Sequence, residues 1–196
     1  MGKIIGLTGG IASGKSTVSQ YLESKDYIVL DSDKYAHTVL EPGQLGYKQI
    51  VEYFGGDVLN EDETINRKAL GQIVFNDKEK LQALNSFTHP EVRRMMHEDL
   101  DKYKQDHHVF LDIPLLYENK RETICDLVIT VYVNEETQLE RLMARNRFTE
   151  EEALSRIRSQ MPLDEKKERS DVVFDNNGSV EALYKQIDRF LSEIES

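Results

Sequence analysis

Short apolar runs bounded by turn residues alternate along much of this chain with stretches whose apolar positions recur at helical spacing. That pattern predicts a parallel sheet wrapped by helices. Ile4, Ile5 and Leu7 read as a buried strand, and Val18, Tyr21 and Leu22 as the inner face of the helix that follows. Tyr27 to Leu30 reads as a second strand, with Asp31 and Asp33 at its carboxyl end. The alternation then stops: from about 34 to 105 the spacing is helical, with Tyr47, Ile50, Val51 and Phe54 on one face, Leu70, Ile73 and Val74 on another, and Val92, Met96, Leu100 and Tyr103 on a third. Pro90 is expected in the first turn of that last helix, where its missing N–H costs nothing.

Strands resume at Val109 to Ile113, Leu127 to Val133, and Val172 to Phe174 ending at Asp175, which makes five in all. Between the last two lie a helix carrying Leu139, Leu142 and Met143 and then Thr149-Glu150-Glu151-Glu152, a capping box opening another helix. Asn177-Gly178 predicts a turn and Ser179 the cap of a final helix, whose stripe is Val180, Leu183, Ile187, Phe190, Leu191 and Ile194. The expected fold is therefore α/β, a single domain over 1–196 with a five-stranded parallel sheet and a helical insertion at about 34–105.

Composition narrows the class. With 39% hydrophobic and 31% charged residues the chain is that of a globular protein, and no apolar run approaches the roughly 18 residues of a membrane span. A formal charge of −11 opposes nonspecific binding to nucleic acid or an anionic membrane. Met1-Gly2-Lys3 leads into the first strand without a signal-peptide pattern, so a cytoplasmic location is expected. Cys125 is the only cysteine, which excludes an internal disulfide or a cysteine-built zinc site. No obligate protein partner is evident, and a monomer or weak homo-oligomer is expected.

The chemistry is concentrated where the first strand meets the first helix. Gly9-Gly10-Ile11-Ala12-Ser13-Gly14-Lys15-Ser16 fits G-x-x-x-x-G-K-[ST], a loop whose free amides, with the positive end of the helix dipole, bind anionic oxygens. Gly9 and Gly14 are expected to let the backbone curl and approach the phosphates. Lys15 would reach the β- and γ-phosphates, Ser16 would offer its hydroxyl to Mg²⁺, and Thr17 would add a contact near the α-phosphate.

Three further groups fit phosphoryl transfer. Val109-Phe110-Leu111-Asp112 is an apolar strand ending in a carboxylate, the arrangement by which such proteins hold Mg²⁺ directly or through water. Asp33 is a candidate to accept the proton of an alcohol acceptor, with helix capping as its structural alternative. Arg141, Arg145, Arg147, Arg156 and Arg158 fall in one short segment of an acidic chain, and guanidinium forks suit the charge of a transferring phosphoryl, so about 140–165 is expected to be a lid. Asn119-Lys120-Arg121-Glu122 resembles a guanine-reading motif but carries Glu in place of Asp and is read as a decoy. From these residues alone a nucleoside monophosphate kinase, another small-molecule kinase or a nucleotide-dependent switch remain open.

Taken together, Leu7 to Thr17, Asp31-Ser32-Asp33, Thr88-His89-Pro90, Leu111-Asp112-Ile113-Pro114-Leu115-Leu116-Tyr117-Glu118, and Arg156-Ile157-Arg158-Ser159-Gln160 resemble the dephospho-coenzyme A kinases. The similarity extends to Asp175-Asn176-Asn177-Gly178 and so covers nearly the whole chain. The resemblance implies a P-loop NTPase fold of the nucleoside-monophosphate-kinase type, three layers with a helical substrate region and a lid. The implied reaction is transfer from ATP to the ribose 3′-hydroxyl of dephospho-CoA, giving CoA and ADP with Mg²⁺ as cofactor. It assigns Asp33, Lys15 and Arg141 to catalysis, and Gly10, Ile11, Ala12, Ser13, Gly14, Lys15, Ser16, Thr17, Arg145 and Asn176 to ATP. Thr8, Asp33, His89, Leu115, Leu116, Tyr117 and Glu118 fall to the acceptor, and Ser16 and Asp112 to the metal. Ala12 stands where the family loop has glycine, and alanine favours right-handed dihedrals.

Overall fold

Five strands, Ile4–Gly9 (β1), Ile28–Asp31 (β2), Val109–Asp112 (β3), Leu127–Tyr132 (β4) and Val172–Asp175 (β5), form one parallel sheet in the order β2-β3-β1-β4-β5. This computed structural model describes residues 1–196, in two units: Met1–Leu30 with Tyr103–Ser196, and Asp31–Lys102. β1 is central, and the register sets Leu7 beside Asp112 of β3 and Gly9 beside Val131 of β4, while Tyr132 pairs with Asp175 of β5. The carboxyl ends of these strands thus share one edge, where open α/β sheets bind ligands.

Both faces of the sheet are apolar because helices cover both. The sheet unit's helices are Lys15–Ser24 (α1), Glu135–Asn146 (α6), Glu150–Arg158 (α7), Leu163–Arg169 (α8) and Val180–Glu195 (α9), of which α1, α8 and α9 pack on strands and α6 with α7 on the loop after β1. Leu183, Ile187, Phe190 and Leu191 of α9 are buried in the same cluster as Ile5, Leu7, Val18, Leu22, Phe110, Ile129, Val131 and Phe174. Each such side chain contributes about 1.5–3 kcal/mol on burial. Val180, expected on the buried stripe, is 45% exposed: burial along α9 begins only at Leu183. The expected caps are present: Ser179 accepts from the Ala182 amide at 3.2 Å, and Thr149 and Glu152 form a reciprocal capping box.

The second unit holds Ser32–Val39 (α2), Leu45–Phe54 (α3), Arg67–Phe75 (α4) and most of Lys78–Tyr103 (α5). Its own core is Ile50, Val58, Ile65, Leu70 and Val74, with Leu84 and Phe87 of α5 packed against it. That packing corrects one expectation. Pro90 does not open a helix but lies inside α5, because Leu84 and Phe87 hold the preceding turns in helical form. Pro90 cannot donate to the carbonyl four residues earlier, so α5 runs through with one rung missing. A second correction concerns Asp33, which is not at a strand end: β2 stops at Asp31, and Asp33 sits in the first turn of α2. No helix is long and apolar enough to cross a membrane.

Candidate active site

The loop after β1 is a cradle whose outer side is tied down and whose inner amides are left open. Gly14 is the N-cap of α1 and no side chain caps that helix start, so the Lys15 and Ser16 amides are left without an acceptor. The helix dipole adds positive potential at the same place. Four side chains from outside grip the loop's remaining polar atoms. Gln160 accepts from the Ile11 amide at 3.1 Å, Gln138 donates to the Ile11 carbonyl at 2.8 Å, Asn176 donates to the Ser13 carbonyl at 2.9 Å, and Lys166 donates to the Gly9 carbonyl at 2.9 Å. Within the loop the Ser13 hydroxyl accepts from the Gly10 amide at 3.2 Å. Ser13 is fully buried, so its side chain serves the loop's shape.

The glycines act in two different ways. Gly14 has φ +90°, the left-handed region, and a Cβ there would stand 2.1 Å from Asn176 Nδ2. Gly9 is ordinary strand backbone, needed for space: a Cβ would lie 2.5 Å from the Ser13 hydroxyl. Ala12 departs from the right-handed preference, with φ 60°. Its methyl side packs with the cluster of Leu142, Ala153 and Ile157, and that packing together with the grip on Ile11 holds the strained dihedral. For Gly14→Ala we expect a loss of about 1–3 kcal/mol in unfolding free energy and weaker ADP binding. Adding Asn176→Ala removes the steric contact but not the backbone strain, so recovery of full stability in the double variant would contradict the role of φ.

Beside the cradle, the Lys15 ammonium is ion-paired with Asp112 Oδ1, and the Ser19 hydroxyl donates to Asp112 Oδ2 at 2.5 Å. The register of β3 against β1 brings the carboxylate there, at 2% exposure. Ser16 is exposed at the helix start, next to Lys15. Lys15, Ser16 and Asp112 are thus brought together, as the motif reading expects. Ser19, one turn beyond Lys15, was not singled out; its signal was the i+4 spacing from that lysine.

The loop after β3 divides between inward and outward residues. Thr8 is fully buried and its hydroxyl donates to the Pro114 carbonyl at 3.0 Å. Leu116 is fully buried, and Tyr117 is 4% exposed with its hydroxyl 2.8 Å from Ser170 Oγ and the Arg169 guanidinium 4.4 Å above its ring. Burial pushes the Tyr117 phenol above its ordinary range. These side chains shape the loop from beneath, leaving Leu115, 39% exposed, on its outer side, while Glu118 is half-buried with its carboxylate turned to Lys166. Sequence reasoning missed Lys166, which is fully buried and also donates to the Pro114 carbonyl at 2.9 Å while pairing with Glu118 Oε1 at 3.1 Å. Burial holds its ammonium below the usual lysine range, with Glu118 opposing and Lys15 adding to the effect. The available signal was a lysine three residues after Leu163 and four before Ser170, on the inward stripe of a short charged helix.

Helices α6 and α7 pack against Ile11 and Ala12 of the cradle through Leu142, Ala153 and Ile157. The arginines that they carry differ in use. Arg158 pairs with Glu135 at 3.3 Å, Arg156 lies 4.6 Å over the Phe148 ring, and Arg147 ends α6 in a left-handed conformation. Arg141 makes no hydrogen bond or ion pair within the protein, and Arg145 bonds only its neighbour Asn146, at 2.8 Å. Asn119 and Lys120, the latter at φ 53°, form a turn that leads into the 3-10 helix Arg121–Ile124, and Glu122 pairs with Arg169 at 3.2 Å. Its acidic group is thereby committed to the protein's own arginine.

In the helical unit, Asp31 caps α2: its Oδ1 accepts from the Asp33 amide at 2.8 Å. The cap is therefore Asp31, and the Asp33 carboxylate is left exposed. Tyr35 on the same helix donates to Asp99 of α5 at 2.5 Å, which fixes α2 within its unit. His89 is exposed on α5, and desolvation and then the Arg93 cation lower its imidazole pKa.

Comparison with known proteins accords with this geometry. A family model described as dephospho-CoA kinase matches residues 3–182. A Lactobacillus johnsonii protein named dephospho-CoA kinase is 48% identical over 192 residues, covering 97% of each chain. Among solved structures, a Thermus thermophilus protein superposes with a TM-score of 0.82 at 39% identity, over 98% of this chain and 97% of that one. The dephospho-CoA kinase of Campylobacter jejuni gives 0.71 at 32% identity, with the same coverages. A tied-down loop between β1 and α1, a lysine–aspartate pair joining α1 to β3, and matches of this length lead to one conclusion: the chain belongs to the dephospho-CoA kinase family.

Proposed function

We propose that the chain transfers the γ-phosphoryl group of ATP to the ribose 3′-hydroxyl of dephospho-CoA on the carboxyl edge of its sheet, with Asp33 as the base. As a member of the family it is a kinase that phosphorylates dephospho-CoA in the last step of coenzyme A synthesis. The observation that carries the site assignment is the uncapped start of α1 beside the Lys15–Asp112 pair. In this reading the open amides of Ala12, Gly14, Lys15 and Ser16 hold the phosphate tail, the rest of the loop from Gly10 to Thr17 keeps them in place, and Lys15 turns from Asp112 to the β- and γ-oxygens. Asn176 keeps the cradle in shape through the Ser13 carbonyl, and Arg145 and Asn176 flank the nucleotide.

The donors here fit Mg²⁺. No three acidic or histidine side chains cluster as a self-sufficient metal cage, whereas a kinase Mg²⁺ takes one or two protein oxygens and completes its shell with phosphate and water. Ser16 would hold it by its exposed hydroxyl, and Asp112, whose oxygens already have donors in Lys15 and Ser19, would act on its water shell. When bound, the ion neutralises charge on the β- and γ-phosphates.

The chain's own residues do the rest. Asp33 accepts the hydroxyl proton while aligning that oxygen for in-line attack, and Arg141, with no partner of its own, meets the charge of the transferring phosphoryl. On the sheet unit Leu115 faces the acceptor and Thr8, Leu116, Tyr117 and Glu118 shape the loop that carries it; on the helical unit His89 is the proposed acceptor contact. The α6–α7 pair serves as a lid that excludes water. A coupled ADP-release assay tests this: dephospho-CoA and Mg²⁺ together should raise turnover far above that with nucleoside monophosphates or with ATP alone. Equal turnover with a nucleoside monophosphate would replace the acceptor.

A further inference from the structure

Lys166 is an ammonium with no solvent exposure, in a chain whose other lysines lie mostly on the surface. Removing a charge from water costs several kcal/mol unless acceptors replace the water. Here the carbonyls of Gly9 and Pro114 each accept a hydrogen bond from it at 2.9 Å, and Glu118 Oε1 neutralises it as an ion pair at 3.1 Å without hydrogen-bond geometry. These acceptors belong to the two chain segments that flank the site. Gly9 begins the phosphate cradle, and Pro114 and Glu118 bound the loop after β3.

The two segments depend on this contact unequally. The cradle has its own ties in Gln138, Gln160, Asn176 and the pairing of Gly9 with Val131. The loop relies more heavily on the α8 segment. Both Glu118 oxygens are taken by it, Oε1 by Lys166 and Oε2 by the Met161 amide at 3.4 Å. Tyr117 is held by Ser170, whose hydroxyl in turn donates to the Lys166 carbonyl at 2.8 Å. We propose that Lys166 is a positioning residue that keeps the Pro114–Glu118 loop in register with the phosphate cradle, so that affinity for dephospho-CoA depends on it and affinity for adenine nucleotide does not. This rests on the reading above that the loop lies beside dephospho-CoA.

The test compares Lys166→Met and Lys166→Gln with the unaltered chain. It reads KM for dephospho-CoA at saturating ATP, the dissociation constant of ADP, and amide hydrogen exchange of the segments 9–17 and 114–121. Loss of charge-assisted bonds should raise KM for dephospho-CoA roughly 10- to 100-fold in the Met variant, less in the Gln variant, which can still donate to a carbonyl. ADP affinity should stay within about threefold, and exchange should quicken in 114–121 but not in 9–17. If the Met variant does not fold, the Gln variant carries the same comparison; if neither folds, Lys166 determines the fold and the proposal is overturned. Equal weakening of ADP and dephospho-CoA also overturns it. Quickened exchange with unchanged KM overturns it by removing the loop from the acceptor side, whereas unchanged exchange and KM remove Lys166 alone.

Discussion

Asp33→Asn is expected to lower kcat for dephospho-CoA by about 10²- to 10⁴-fold, the range for loss of a positioned general base, while ADP affinity stays near that of the unaltered chain. The geometry makes this substitution clean. Asp31, not Asp33, caps α2, so the backbone at position 33 is fixed by the Asp31 side chain. Asparagine has nearly the same shape and stays exposed in the first helical turn, giving up only a favourable dipole contact of about 0.3–1 kcal/mol. A large fall in turnover with little change in stability would therefore report proton transfer. Asp31→Asn is the matched control, since asparagine caps as well as aspartate and turnover should remain within roughly threefold. Turnover unchanged in Asp33→Asn, measured by initial-rate kinetics, would remove it from the base role.

Lys15→Met is expected to cost more than catalysis. Loss of a preorganised cation facing the transferring charge should reduce kcat/KM for ATP by about 10²- to 10³-fold. It also takes the paired cation away from Asp112, a carboxylate that is 2% exposed, and breaking such a pair costs about 3 kcal/mol. The substitution should thus lower the urea midpoint of the ligand-free protein as well. Adding Asp112→Asn should restore much of that stability without restoring activity, because the neutral amide no longer needs the ammonium. Wild-type stability in Lys15→Met would refute the ion pair, and activity within tenfold of normal would refute the phosphate role.

How far the amino-acid sequence foretold this site depends on what each residue does. The cradle was legible because a strand-to-helix turn that binds phosphate constrains the backbone itself, and the G-x-x-x-x-G-K-S spacing records that constraint. Asp112 was legible as a polar residue ending an apolar strand, and Thr149 and Ser179 as local caps. Features set by tertiary contact were not. Lys166 reads as part of a solvated run of charge, and only the packing of α8 turns it inward. Pro90 reads as a helix start until Leu84 and Phe87 are seen to hold the turns before it. Ala12 takes a dihedral that its side chain disfavours because neighbouring groups fix the loop.

The acceptor side shows the same division. The run from Leu115 to Glu118 carries the family resemblance as a unit, yet its side chains point in opposite directions. Leu116 and Tyr117 are buried, Glu118 turns its carboxylate to the buried Lys166, and Leu115 is the one that presents itself. Linear sequence does not reveal that alternation in an irregular loop, since no helical or strand period governs it.

One phosphoryl group should pass from ATP to the ribose 3′-oxygen of dephospho-CoA. Phosphorus NMR of the reaction product, alongside quantitation of ADP, measures it most directly. The expected result is one 3′-phosphomonoester formed per ADP released, only when dephospho-CoA and Mg²⁺ are both present. ADP released without a new phosphomonoester, or a phosphate placed elsewhere on the acceptor, would contradict it.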